Sequence, residues 1–280
     1  MISGTTRLIG IVGHPVAQVR MPGNLNPLFA RTGQDLAMVP FDLDPLAVPQ
    51  FIGLLRATAN LLGTVVTVPH KQAIARNVDV LSIRAHALGA VNVVRREANG
   101  SLHGDHVDGF GFLNAARTHG FKSAGQHALV IGAGGAGSAI AYALCETGAA
   151  GVSVLDTDEE RAGNLVRMLS SQFPEVDVQA RCDTLLGLDL VVNVTPVGMS
   201  SQDPMPLPGA LLSTLESSTL VCDAITSPEI TPFLAFARDR GCQVQTGAEM
   251  AAASVEFIGS FLGFMPEVNP IAVITAPLPC

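Results

Sequence analysis

Short apolar runs alternate with helical spacing through the first hundred residues. Leu8–Gly13 (LIGIVG), Met38–Leu43 (MVPFDL), Thr64–Val68 (TVVTV) and Ala90–Val94 (AVNVV) are bounded by Gly, Pro or Asp and rich in β-branched residues, the pattern of buried strands. Between the second and third, Phe51, Leu54 and Leu55 recur at helical intervals in PLAVPQFIGLLRATANL. Strands alternating with helices predict βα units and a largely parallel sheet. ANGSLHGDH then predicts a turn and a short strand, and a second alternation begins near His106. It runs through a helix over Phe110–Thr118, strand HALVIGA, helix Ser138–Thr147, strand GVSVLD and helix Glu159–Leu169. Strands DLVVNVT and TLVCDAI and helix Thr231–Arg240 follow. A last helix, Glu249–Leu262, is apolar enough to be expected across the junction of the two halves. The prolines of the tail FMPEVNPIAVITAPLPC exclude a long helix there.

Composition agrees with an α/β chain of two domains. The 280 residues are 48% hydrophobic and 14% charged, with 28 glycines, which suits strands covered on both faces. A net charge of −8 argues against nucleic acid and against an anionic membrane surface. No apolar run approaches the ~20 residues of a membrane span. MISGTTRLIG lacks a secretory pattern, so a cytoplasmic location is expected. Cys145, Cys182, Cys222, Cys242 and Cys280 are scattered, without CxxC pairs or histidines at metal spacing. They predict free thiols in a reducing compartment and no metal site.

The strongest motif is Gly132-Ala133-Gly134-Gly135-Ala136-Gly137, which follows an apolar strand and opens a helix. In that context Gly132 permits a tight turn, Gly134 lets backbone approach a pyrophosphate, and Gly137 lets the helix pack on the strand. The diphosphate of a dinucleotide would then meet free N–H groups at a helix N-terminus. Asp156 stands 24 positions after Gly132, at the end of the next strand, where an acid receives the adenosine ribose hydroxyls. The same carboxylate would oppose a 2′-phosphate by about 1–4 kcal/mol at ~4 Å, so NAD is expected and NADP disfavoured. Asp158, Glu159 and Glu160 are expected only to form an acidic first helical turn, with Thr157 and Glu160 as a capping box.

The chemistry is expected in the front half. Thr67-Val68-Pro69-His70-Lys71 ends a strand and starts a helix, at the strand end where α/β sheets hold ligands. Lys71 and Lys122 are the only lysines among 16 Lys and Arg residues. Where arginine is used so heavily, a lysine suggests a role that needs a removable proton. Asn92 ends the strand-like GAVN, and Asp108 lies in HVDGFGF; a carboxylate near an ammonium would help share a proton in alcohol–carbonyl interconversion. Spacing alone does not bring Lys71 and Asp108 together.

In order, TVPHK, GAVN, DGFGF, VIGAGGAG, NVTPVGM, CDAITSPEITPFLAFARDRG and GAEM resemble the shikimate dehydrogenase family over nearly the whole chain. The resemblance implies an N-terminal α/β substrate-binding and catalytic domain over 1–106, to which 248–280 return. A Rossmann-type, doubly wound nucleotide-binding domain would occupy 107–247. It further implies that Lys71 and Asp108 form the catalytic pair, that Thr67 and Asn92 face substrate, and that Thr195, Pro196, Gly247 and Met250 lie near the nicotinamide.

The departures bear on substrate. Val19 and Met21 replace two serines that hold a substrate carboxylate in the family. Val65 replaces an asparagine, Thr226 a tyrosine and Ser254 a glutamine, and Leu155-Asp156-Thr157 replaces the Asn-Arg-Thr that receives a 2′-phosphate. Losing two hydrogen bonds to a charged group, at ~1.5–3 kcal/mol each, would weaken shikimate by roughly two to four powers of ten. An extended Val19–Met21 with both apolar side chains in the pocket would point Arg20 away, which disfavours it as a substitute anchor. His70 and His106 remain candidates for substrate contact. The expected function is NAD-linked hydride transfer on a small cyclic polyol, shikimate- or quinate-like or less anionic, by a monomer or homodimer. A non-catalytic NAD-binding sensor is the rival from another class, and a folate-type dehydrogenase a second enzymatic one.

Overall fold

The alternation folds into two separate six-stranded sheets in the computed structural model, which describes residues 2–200 and 202–275. The chain divides into two units. One holds the residues up to Val107 with Ile258–Glu267, the other Asp108–Phe257 with the segment from Val268 onward.

In the first unit, β1 (Arg7–Gly13) leads to α1 (Met21–Thr32) and β2 (Leu36–Asp42). A 3-10 turn at Pro45–Ala47 then starts α2 (Val48–Ala57). Next come β3 (Leu61–Val66), α3 (Lys71–Ala75), β4 (Val80–Leu81), α4 (Ile83–Leu88), β5 (Val93–Arg96) and β6 (Leu102–Asp105). The sheet order is β2-β1-β3-β5-β6-β4. Phe51, Ile52 and Leu55 form the buried stripe of α2 and join Val12, Val66, Ile74 and Leu102 in the core. Helix α1 is absent from the sequence reading because Pro22, Gly23 and Pro27 mask it. Pro22 sits in its first turn, where no N–H is needed, and Leu25 and Phe29 are buried. The segment from Ile258 belongs here for a visible reason. Phe264 meets Phe29 edge-on at 5.3 Å, and the Arg95 guanidinium stacks on Phe261 while donating to its carbonyl at 3.1 Å.

This sheet is mixed, with three of its five strand pairings parallel. Strand β5 runs antiparallel to both β3 and β6. Its connection to β6 is the short turn after Arg96, closed by the Glu97 N–H donating to the Ser101 carbonyl at 2.9 Å, and so short a link permits only antiparallel pairing. The reversal also moves Asn92. It precedes β5 instead of ending a strand, and so lies at the edge where β3 ends.

In the second unit, α5 (Asp108–Thr118) precedes β7 (His127–Ile131), α6 (Gly135–Glu146), β8 (Gly151–Leu155), α7 (Glu159–Gln172) and β9 (Asp177–Gln179). Then follow β10 (Leu190–Asn193), α8 (Gly209–Leu212), β11 (Leu220–Asp223), α9 (Pro232–Asp239), β12 (Val244–Gln245), α10 (Gly247–Leu262) and α11 (Pro270–Thr275). All neighbours in the order β12-β11-β10-β7-β8-β9 are parallel. The winding reverses between β7 and β10, which is where a doubly wound sheet opens a crevice at its carboxyl edge. Leu129, Val191, Val221, Phe233 and Leu234 fill one side of the sheet.

Cys145, Cys222 and Cys242 are buried free thiols and Cys182 is partly exposed; Cys280 lies outside the described residues. Burial pushes the Cys145 thiol up to about 12 and that of Cys222 well above its ordinary value. Among the described residues no helix is long and apolar enough to cross a membrane. Nor is any group of three His, Cys, Asp or Glu among them placed to hold a metal.

Candidate active site

The glycine turn after β7 has the features a diphosphate requires. Gly132 adopts φ +108°, a conformation that L side chains rarely take. A Cβ on Gly137 would lie 1.8 Å from the Gly132 carbonyl oxygen, so α6 can start here only on a glycine. Gly134, by contrast, has nothing within 4 Å of its absent Cβ. Its surroundings are open, as close approach by a ligand demands. Helix α6 begins with no side-chain cap and no acidic residue in its first turn, which leaves the Gly135, Ala136 and Gly137 end of the helix dipole available to an anion. These residues fit a dinucleotide diphosphate.

Asp156 also has a structural part that spacing did not show. Its side chain is 7% exposed. One carboxylate oxygen accepts the Ala133 N–H at 2.7 Å, the other the Asp158 N–H at 2.9 Å, and Arg161 lies 3.6 Å away. The acid thus braces the glycine turn against the end of β8. Burial pushes the carboxyl up, but these N–H groups and Arg161 outweigh it and hold it below its ordinary value. Asp156→Ala should cost about 1–3 kcal/mol of stability at neutral pH, because the buried Ala133 N–H loses its acceptor. A lowered folded value means the contribution is complete above the ordinary 3.8 and is lost as pH falls through the folded value. The gap between wild type and variant in urea unfolding should therefore narrow as pH falls below about 4; a gap that does not narrow there would contradict this role. The cap of α7 also differs from expectation. Asp158, not Thr157, accepts the Arg161 N–H at 3.0 Å.

Three further loops converge on the same carboxyl edge. A Cβ on Gly132 would lie 3.1 Å from Thr195 Cγ2, so the loop after β10, with Thr195 and Pro196, packs directly on the glycine turn. Thr226 follows β11 and is half-buried. A Cβ on Gly247 would lie 2.4 Å from the Ala224 carbonyl oxygen, seating the start of α10 on that loop. Thr246 and Glu249 close a reciprocal cap on α10, Glu249 N–H to Thr246 Oγ1 at 3.2 Å and Thr246 N–H to Glu249 Oε2 at 2.7 Å. Met250 lies in the first turn. Ser254 is buried, donates its hydroxyl back to the Met250 carbonyl at 2.9 Å and fills the space beside Gly111. These contacts give Ser254 a packing role in α10.

In the first unit, Thr67, Lys71 and Asn92 share the carboxyl edge of β3. The Thr67 methyl occupies the space over Gly13, where a Cβ would come within 2.6 Å. Lys71 is the first residue of α3 and half-buried. Asn92 is 2% exposed and accepts the Val107 N–H on Oδ1 at 2.7 Å, an orientation that turns its amide Nδ2 to other partners. Val65 is buried in β3. Val19 and Met21 are half-buried, and Arg20 between them is exposed. The segment is not extended as assumed above: Arg20 is the helical N-cap residue and Met21 begins α1. His70 is 1% exposed and its Nε2 has no hydrogen-bond partner among the described residues; His106 is 2% exposed. Asp108 is the first residue of α5, in the second unit.

The sequence reading missed two polar clusters. In the first unit, Asp105 pairs with Arg84 and accepts Ser82 Oγ at 2.5 Å and the His106 N–H at 2.7 Å. In the second, Asn193, Asp223 and Thr231 are buried together at the ends of β10 and β11 and at the cap of α9. Only their place inside NVTPVGM and CDAITSPEIT could have marked the latter.

Comparison with known proteins agrees with this architecture. A family model for the shikimate dehydrogenase substrate binding domain matches residues 11–94. A shikimate dehydrogenase (NADP(+)) of Rubrobacter xylanophilus is 36% identical over 273 residues, 96% of this chain and 95% of that relative. One of Rhodospirillum rubrum is 37% identical over 276 residues, 96% of each. Among solved structures, ligand-free 5-ketofructose reductase of Gluconobacter sp. strain CHM43 superposes with a TM-score of 0.85 at 26% identity, covering 98% of both chains. The expected preference for NAD over NADP is corrected by these relatives, which carry NADP(+) in their names. The expectation assumed an Asp156 carboxylate free to face the ribose; the carboxylate is instead engaged by two backbone N–H groups, with Arg161 beside it.

Proposed function

The chain belongs to the shikimate dehydrogenase family and is a dehydrogenase of CH–OH groups; on that footing we propose that it acts on an uncharged, polyhydroxylated ring or keto sugar in place of a carboxylated one. The observation that carries this reading is the pair Val19 and Met21. Two half-buried apolar side chains stand where the family holds a carboxylate with serine hydroxyls, and Arg20 between them is exposed. Leaving a carboxylate without those hydrogen bonds costs about 1.5–3 kcal/mol for each. The similarity to a reductase of 5-ketofructose supports the same direction.

Gly132, Gly134, Gly135, Ala136 and Gly137 would hold the dinucleotide diphosphate, with Thr195, Pro196, Gly247 and Met250 toward its nicotinamide end. A bound nicotinamide supplies or accepts the hydride. Lys71 takes the proton of the substrate hydroxyl as the alcohol becomes a ketone, and returns it in the reverse direction. Its ammonium form stabilises the negative charge that develops on that oxygen. Asp108 is assigned to the same proton transfer. Thr67 and the Asn92 amide, whose orientation the Val107 N–H fixes, would orient substrate hydroxyls.

The test is turnover with NADP(H) across shikimate, quinate, carboxylate-free ring analogues and 5-ketofructose. Uncharged substrates should exceed carboxylated ones in kcat/KM by about two powers of ten or more. A preference for shikimate of that size would reverse the substrate assignment. Clear dinucleotide binding with no turnover of any substrate would favour a sensor.

A further inference from the structure

We propose that Asp223 is a positioning residue whose carboxylate, acting through Asn193, fixes the Thr195–Val197 loop for the nicotinamide half of the dinucleotide. The inference rests on the dehydrogenase reading above and adds to it a residue outside the assigned site. Asp223 ends β11 and is 2% exposed; Asn193 ends β10 beside it and is fully buried. One Asp223 oxygen accepts the Ile225 N–H at 3.0 Å. The other accepts Thr231 Oγ1 at 2.7 Å and Asn193 Nδ2 at 3.2 Å. Asn193 relays this hold. Its Nδ2 also donates to the Val197 carbonyl at 3.0 Å, and its Oδ1 accepts the Thr195 N–H at 3.1 Å and the Thr195 hydroxyl at 2.7 Å. The Thr195 hydroxyl in turn accepts the Val197 N–H at 3.2 Å.

Every polar atom of this chain is oriented by the previous one. An acceptor-only carboxylate at position 223 forces Asn193 to present Nδ2, which leaves Oδ1 facing Thr195. The loop so fixed is the one whose Thr195 methyl packs on Gly132 of the glycine turn. Burial of a carboxylate is costly unless hydrogen bonds compensate, and burial does push the Asp223 carboxyl up in spite of three donors. A leucine or valine would pack there without that cost. The acid is therefore better explained by orientation than by stability.

The clamp's hydrogen bonds hold the loop near the nicotinamide end, and none of them goes to Asp156 or to Ala133, its partner in the glycine turn. Full dinucleotide and adenine-half fragment should therefore respond differently to its loss. The experiment measures the affinity of NADPH by its fluorescence and of adenosine 2′,5′-bisphosphate by competition. The variants are Asp223→Asn, Thr231→Val and Thr231→Ser. Asp223→Asn turns an amide donor toward Asn193 or Ile225 and should weaken NADPH about tenfold to a hundredfold, with the fragment unchanged to within about twofold. Thr231→Val removes one donor to Asp223 and should weaken NADPH less, again sparing the fragment, and Thr231→Ser should restore wild-type affinity. The Thr231 pair keeps the test decisive if Asp223→Asn does not fold. Equal loss of NADPH and fragment, no loss of either, or a Thr231→Ser variant that behaves like Thr231→Val would each overturn the clamp. Wild-type protein that binds neither molecule would instead remove the dehydrogenase reading on which it rests.

Discussion

Lys71→Ala should lower kcat by about 10² to 10⁴ while NADPH affinity stays within about twofold of wild type. The lysine opens α3 at the carboxyl edge of the first sheet, whereas the glycine turn and its bracing acid belong wholly to the second unit. On the proposed role, loss of the amine would remove the acceptor for the hydroxyl proton and the charge that stabilises the oxyanion, without touching the glycine turn. Lys71→Arg separates these two contributions. Guanidinium keeps the charge but cannot give up a proton near neutral pH, so that variant should recover only a small part of the lost rate. Single-turnover reduction at saturating substrate checks both. Near-wild-type turnover by Lys71→Ala would assign the proton to another group.

The combined substitution Val19→Ser and Met21→Ser should raise kcat/KM for shikimate relative to a carboxylate-free analogue by about two to four powers of ten. Met21 begins α1, a helix of 12 residues with no side-chain cap and no acidic residue in its first turn. Two hydroxyls at this end would add donors where the helix dipole already favours a negative charge. Arg20 stays exposed as the N-cap residue and need not change. A ratio of shikimate to uncharged substrate that does not move would mean that the apolar pair is not what sets charge selectivity.

How legible the chain was depended on range. The glycine turn could be read because its signal is local: a β-branched strand, glycines at fixed offsets, then a helix. Structure adds the reason, a 1.8 Å conflict between a Cβ at Gly137 and the Gly132 oxygen. The strands and helices of the second unit were legible for the same reason, since parallel βα units keep each hydrophobic run intact. Asn92 was misplaced because strand direction is a tertiary property, set here by the short turn between β5 and β6. Helix α1 was hidden by prolines that its first turns accommodate. The bracing part of Asp156 is invisible to spacing, which says nothing about which backbone N–H groups a carboxylate will meet. The Asp223–Asn193–Thr231 cluster joins residues 30 and 8 positions apart and leaves no periodic trace.

The placement of the thiols gives the molecule an asymmetric chemical label. No cysteine precedes Cys145, and the described ones all belong to the second unit, three of them buried. With their protons held so firmly, Cys145 and Cys222 react with alkylating reagents only when the surrounding strands open. Modification rates at these two buried thiols thus clock breathing of the second unit alone. The first unit has no cysteine among the described residues and stays silent to the same reagent, so the wild-type sequence reports when the second unit by itself yields to heat or denaturant.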